Sequence, residues 1–326
     1  MFKMTCDIKF EGYKPTKASS LTWQHSVDNI CSTAKIVIPT MSLVTNKEKE
    51  HSFVDTALVI TEGMKVEIYA GYDGKNDLQF SGFVSRINFK TPLELECEGY
   101  SYQLKRKIIN KSFGRTTVRD VLNYLIEGTD IKLSAKMPDK IVFEPCTFKN
   151  YTAIQVLEWL KEKYLLTVFF EDRDLYVGWL ATYKGGTVKH RLNWNVIKDD
   201  SLVFNTSKGA IVQIQAESRA ESGERKKKKS QNVAKPGNVK RVTVEIQDEA
   251  DKQMAVNDMQ QRANQRGYTG KITGFLKPFV RPGMTTELID NKYRDRNGKY
   301  FVESVSGNFT SSGGRQTIEI GGSLST

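Results

Sequence analysis

Five carboxylates fall within a short stretch, Glu158, Glu162, Glu171, Asp172 and Asp174, and paired carboxylates are the groups that cleave glycosidic bonds. That chemistry needs two of them at a set separation across a cleft, one as acid and one as base or nucleophile. Glu158 and Glu162 instead stand one helical turn apart beside Lys161 and Lys163, the arrangement of an exposed charged helix face. The stretch reads as structural.

Lys226, Lys227, Lys228 and Lys229 form an unbroken run. Such a run could touch phosphates or an acidic partner without reading sequence. No aromatic side chain is interleaved for base stacking. It reads as a solvated loop tip, with DNA contact, or ordering when a neighbouring protein docks, as the alternatives. His25, His51 and His190, and Cys6, Cys31, Cys97 and Cys146, lack metal-ligand or disulfide-framework spacing. Ser19-Ser20 and Ser311-Ser312 carry no nucleophile elbow, and Gly313-Gly314 and Gly321-Gly322 are not phosphate loops. Trp159, Trp179 and Trp194 could form a sugar platform, but read as core of the middle of the chain or its packing against a strand unit. No enzyme, cofactor or metal is expected.

The elements around these residues are mainly strands. Val66 and Ile68 alternate with Lys65, Glu67 and Tyr69, and Leu93, Leu95 and Cys97 alternate with Glu94, Glu96 and Glu98. Period two means strands with one dry face and one wet or partner-facing face. Asp73-Gly74 supplies a hairpin turn. The design returns later: Gly63-Met64-Lys65-Val66 is echoed by Gly283-Met284-Thr285-Thr286, with Asn297-Gly298 as the second turn. The fold class expected is mostly β, with two similar antiparallel β-barrels flanking an α+β insert.

Length, 326 residues, allows two or three domains. Residues 1–104 read as the first barrel and 105–190 as the insert. The insert carries a duplicated helix-then-strand unit, with Thr117-Val118 to Leu125 echoed by Thr152-Ala153 to Leu160. Residues 191–326 read as the second barrel, with a Lys-rich loop at 221–238, expected to be an extended, mobile hairpin. A surface helix is expected at 248–266, capped by Asp248 and stopped by Gly267. The net charge of +11 is mostly local, since residues 217–241 hold nine basic residues against three acids. No apolar run is long enough to span a membrane and no secretory signal opens the chain, so folding in a cytoplasm is expected.

This order of units resembles the baseplate hub proteins of contractile phage tails, among them the late-control D-type proteins and the hub of PBSX-like defective prophages. The residues that carry it are Gly63-Met64-Lys65-Val66, Phe80-Ser81-Gly82-Phe83-Val84 and Gly99-Tyr100-Ser101-Tyr102-Gln103-Leu104. Near the C-terminus they are Arg281-Pro282-Gly283-Met284 and Gly298-Lys299-Tyr300-Phe301-Val302-Glu303-Ser304-Val305. The resemblance implies a homotrimer whose two barrels per chain form a pseudo-sixfold ring joining the tail tube to the central spike. It implies tube, spike and tape-measure proteins as partners, other baseplate proteins bound through the insert, and DNA at most passing through the channel. The particle would be a virion or phage-tail-like assembly such as an R-type bacteriocin, built in the bacterial cytoplasm. The alternatives are a peptidoglycan-degrading tail enzyme and a non-specific nucleic-acid-binding protein.

Overall fold

Alternating burial runs through the first hundred residues: Val66, Ile68 and Ala70 are buried while Lys65, Glu67 and Tyr69 are half-exposed. The computed structural model describes residues 3–45, 51–199, 201–205, 213–219, 225–229, 239–263 and 267–323. The first unit holds β1 (Met4–Phe10), β2 (Ser20–Ser26), β3 (Thr33–Ile38), β4 (Met41–Thr45) and β5 (His51–Asp55). The short helix α1 (Thr56–Val59) leads to β6 (Lys65–Tyr72), β7 (Lys75–Asn88), β8 (Leu93–Glu98) and α2 (Ser101–Lys105). Asp73 and Gly74 both take positive φ, 52° and 78°, as a two-residue hairpin turn of the primed type requires. Gly82 lets β7 cross β8, because a Cβ there would collide with the Glu98 carbonyl oxygen.

The middle of the chain holds β9 (Ile108–Phe113), β10 (Thr116–Thr117), α3 (Val118–Ile126), β11 (Lys132–Leu133) and β12 (Val142–Phe143). It continues through β13 (Cys146–Thr152), α4 (Ala153–Lys163), β14 (Thr167–Glu171) and β15 (Asp174–Gly178). Both helices open on reciprocal caps. Thr117 Oγ1 accepts from Asp120 N while Asp120 Oδ2 accepts from Thr117 N; Thr152 and Gln155 do the same. The first strands of the two repeats, β9 and β13, pair antiparallel.

The last third holds β16 (Thr187–Arg191), β17 (Val196–Lys198), β18 (Val203–Asn205), β19 (Gln213–Arg219), β20 (Arg225–Lys229) and β21 (Val239–Thr243). Helix α5 (Glu249–Ala263) precedes β22 (Gly267–Gly274), β23 (Thr285–Ile289), β24 (Gly298–Thr310) and β25 (Gly313–Ser323).

The two strand units share backbone detail. Gly63 N donates to Val84 O at 2.7 Å and Val84 N to Met64 O at 2.9 Å. Gly283 N donates to Val302 O at 2.8 Å and Val302 N to Met284 O at 2.9 Å. Gly63 and Gly283 take φ 85° and 86°. A register irregularity follows at the same place, between Val84 and Arg86 in β7 and between Val302 and Ser304 in β24. Ile36 then faces Leu95 as Ile272 faces Ile318.

Three expectations are corrected. Among the described residues the units do not close into barrels. There they form one 13-stranded sheet whose path runs β1-β6-β7-β8-β3-β2-β24-β25-β22-β17. Instead of closing onto β1, β2 satisfies its outer edge with β24, one way to remove an exposed row of backbone donors and acceptors. The outer strands also differ in direction, β1 lying antiparallel to β6 but β16 parallel to β23. Helix α5 does not lie loosely on a surface. Its Ala255 and Val256, with Val244 and Ile246 just before it, enter the core around the middle module, and its acids bond backbone: Asp251 Oδ2 accepts from Val142 N and Asp258 Oδ1 from Ala181 N. A weak apolar stripe understated the burial because the helix docks through polar side chains to backbone donors.

A Cβ at position 63 meets only the Tyr102 hydroxyl, 3.6 Å away, whereas one at 283 would collide with the Tyr183 ring. Gly63→Ala is therefore expected to cost only the positive-φ strain, about 1–2 kcal/mol, and Gly283→Ala clearly more. Urea unfolding of the two variants checks the ranking.

Candidate functional site: the seam between the strand units

The seam is built by β2 and β24, paired antiparallel from Leu21 opposite Phe309 to Ser26 opposite Ser304. Trp23 lies over Gly307, where a Cβ would enter the indole ring. A groove of about 490 Å³ opens over the seam's polar face, with Lys35 and Arg315 among its walls.

One buried guanidinium ties the seam to the rest. Arg281, which ends the loop before the Gly283-Met284 turn, donates from Nη1 to Gln79 O at 2.8 Å and from Nη2 to Leu78 O at 2.7 Å, both on β7. Nη2 also reaches Asp172 Oδ1 at 2.8 Å, and Nη1 lies 2.9 Å from His25 Nε2. Three parts of the chain thus meet on one side chain. Asp172 sits at positive φ, 54°, in the β14–β15 turn. Burial pushes its carboxyl up, and Arg281 only partly offsets this; burial likewise pulls the guanidinium down. Removal from water outweighs attraction for both partners. Burial, then the neighbouring guanidinium, lowers His25 to about 3, so its ring is neutral at pH 7.

Around this pin, the Tyr72 hydroxyl donates to Gly314 O at 3.1 Å and accepts from Leu276 N at 3.2 Å, and Lys277 pairs with Asp77.

The residues singled out by sequence are distributed as follows. Glu158 and Glu162 are exposed on α4. Glu171 accepts from Lys136 Nζ at 2.8 Å and from the Tyr183 hydroxyl at 3.0 Å. Asp172 is held by Arg281, and Asp174 begins β15 opposite Glu171. Trp159 packs among Phe143, Phe148 and Tyr164, and Trp179 is buried, but Trp194 is 78% exposed and belongs to no core. Cys97 is buried, and His190 is buried with Nδ1 2.7 Å from Thr286 Oγ1. Among the described residues no cluster of three or more His, Cys, Asp or Glu side chains is placed to hold a metal ion. Nor is any helix there long and apolar enough to cross a membrane.

Lys226 to Lys229 lie within a strand, β20, paired antiparallel with β19, whose other edge carries β21 in parallel. The loop expected at 221–238 is therefore part strand; residues 221–224 and 230–238, like 264–266 of the expected helix, lie outside the described residues. Gly63, Met64, Gly283 and Met284 form the two equivalent turns. Sequence named Arg281 only as part of the motif that carries the resemblance and His25 only as a histidine without ligand spacing; their meeting was not foreseen. The signal was present at Arg281, because the first repeat has Thr61 two positions before its Gly-Met pair, where the second has the arginine.

No protein-family model matches the chain, and no curated protein matches it. Its fold does match solved structures. One is the 43 kDa tail protein of prophage MuSo2 from Shewanella oneidensis, at TM-score 0.66 and 11% identity, covering 98% of each chain. Another is a tail protein from Neisseria meningitidis MC58, at TM-score 0.66 and 14% identity, covering 98% of this chain and 96% of that one. A third is an Escherichia coli type VI secretion component described as similar to the T4 tail proteins gp27 and gp5. It gives TM-score 0.56 at 8% identity, over 98% of this chain and 77% of that one. At these identities the likeness is one of fold. The chain has the mostly β fold of phage tail proteins and of T4 gp27-like type VI components.

Arg281→Met leaves two carbonyl oxygens and a carboxylate without their donor and is expected to lower stability by about 3–5 kcal/mol. Asp172→Asn keeps an acceptor and should cost about 1–2 kcal/mol. Urea unfolding ranks the pair. His25 and His190 are held by burial at about 3 and about 4. The unfolded histidines take up protons near 6.5, so the stability they contribute is present above pH 6.5 and lost as pH falls towards 4. The expected slope is up to about 1.4 kcal/mol per pH unit for each group, and His190→Gln should remove one of the two contributions. Urea midpoints at pH 7.5, 6 and 5 test this.

Proposed function

We propose that this protein is the central hub of a contractile phage-like tail baseplate. It acts as a homotrimer whose six strand units form a pseudo-sixfold ring between the tail tube and the central spike. The observation that carries the reading is the repeat itself: one chain holds the Gly-Met turn, its paired backbone bonds and the following bulge twice, and joins the two copies edge to edge in a single sheet. Three such chains supply six equivalent units to a sixfold partner and only three of everything else to a threefold one. The middle module faces other baseplate proteins, and the tape-measure protein is a further partner. DNA passes through the channel without being read. The task is geometric and non-catalytic, in a virion or phage-tail-like particle such as an R-type bacteriocin.

Negative-stain electron microscopy with light scattering is expected to give a trimer with a central hole. A monomer at micromolar concentration, alone and with tube protein added, would overturn the hub. Zymography on peptidoglycan should give no clearing; lysis abolished by Glu158→Gln or Glu162→Gln would replace the hub with a cell-wall hydrolase.

A further inference from the structure

A ring of three chains contains six junctions between strand units. Three are the seam within each chain. The other three lie between copies, and the repeat says which edges they would use.

In the second unit β23 begins at Thr285, opposite Phe301. Beyond Val302 the same edge of β24 is taken by β2, with Gln24 opposite Ser306 and His25 opposite Val305. In the first unit β6 begins at Lys65, opposite Phe83. Beyond Val84 the corresponding edge of β7 meets no strand among the described residues. At its end Phe89 is 78% exposed. One open edge therefore sits where the existing seam has a partner.

The strand that would fill it is also identifiable. On β3, β2 is the outer neighbour, with Gln24 opposite Thr33. On β22 that place is held by β17 and β18, with Val203 opposite Thr269. The core pairs Ile36 with Leu95 and Ile272 with Ile318 make Thr33 and Thr269 equivalent, and so Val203 the counterpart of Gln24. Among the described residues the far edge of β18 has no strand on it, and Val203 and Phe204 are 62% and 52% exposed. Large apolar side chains on two open edges mark a surface that is covered.

A second feature points to the same occupant. Within the chain, residues 275–281 close the seam over the β6–β7 turn, through Leu276 on Tyr72, Lys277 on Asp77 and Arg281 on β7. The equivalent segment of the first unit, between β3 and β6, is the longer β4–β5 hairpin with α1. Leu43 lies opposite Phe53 there, and Leu43, Phe53 and Leu58 are 56%, 73% and 82% exposed. By the same correspondence this segment would grip the β23–β24 connection of another copy, where Tyr293 is 48% exposed.

We infer that the partner of both surfaces is a second copy of this chain. β18 of one copy adds antiparallel to β7 of the next, with Val203 opposite Asn88 and Phe204 opposite Ile87. The β4–β5 hairpin of the receiving copy closes over the β23–β24 connection of the donor. The contact is head-to-tail, so it closes into a ring of three when each copy is turned by a third of a circle. This inference rests on the hub reading and adds the edges and register to it.

Disulfide trapping tests it. The intrachain pair Gln24→Cys with Ser306→Cys, directly opposite in the existing seam, sets the oxidation conditions. Val203→Cys with Asn88→Cys should then give covalent dimers and trimers on non-reducing gels, while each single variant gives no more than the wild-type background. Phe89→Asp should shift the trimer to monomer without changing the monomer's circular dichroism. Trimers that persist with cross-linking at background, or with the bond inside one copy, overturn this edge while leaving the ring. Monomers throughout, in wild-type and variants alike, overturn the ring as well.

Discussion

One buried guanidinium ties three parts of this chain together. Arg281 can be stripped of water only if the donors it points inward find acceptors, and these come from different parts of the sequence, two carbonyls of β7 and one carboxylate of the middle module, with the ring of His25 on β2 beside them sharing the Gln79 carbonyl. Removing any of these contacts strands a charge or a carbonyl in a dry place, which is costly in a way that an apolar mismatch is not. The pin thereby fixes the angle between two sheets' worth of strands and the module between them. It contributes specificity of arrangement more than net stability, since burial works against both charged partners.

The repeat explains why such a pin is needed. The two strand units are alike in their Gly-Met turns, bulges and core pairs, so pairing by strand pattern alone would allow more than one way of joining them. Arg281 stands where the first unit has Thr61, and the reach of its guanidinium to β7 gives the within-chain seam a contact that the same place in the first unit cannot make. Gly307 adds a second distinction, admitting the Trp23 ring where the corresponding first-unit position holds Phe89.

Much of this was legible in residue order and some of it was not. Alternation placed β6 and β8, Asp73-Gly74 placed the hairpin, and the Thr117 and Thr152 caps placed both helices, because these signals act over a few residues. Gly63 and Gly283 could be matched by eye because positive φ leaves little choice of residue. The continuous sheet was hidden, since an edge strand looks the same in sequence whether it closes its own barrel or joins another. Asp172 was legible as an acid but not as the partner of a residue more than a hundred positions away. Helix α5 was misjudged because polar groups that cap foreign backbone look, in a helical pattern, like groups facing water. Its Lys252, fully buried beside Glu249, is the extreme case.

The division between shared and unshared parts carries the functional argument further. What the units have in common runs from the Gly-Met turn through the β7–β8 or β24–β25 hairpin to β3 or β22, and on the hub proposal this is the part that three chains would present six times. What they do not share is peripheral to those strands: the β4–β5 hairpin against the short 275–281 loop, antiparallel β1 against parallel β16, and the middle module with α5 packed into it. These would appear three times. On the hub proposal, that partition is what lets one chain meet a sixfold surface with one set of atoms and a threefold surface with another.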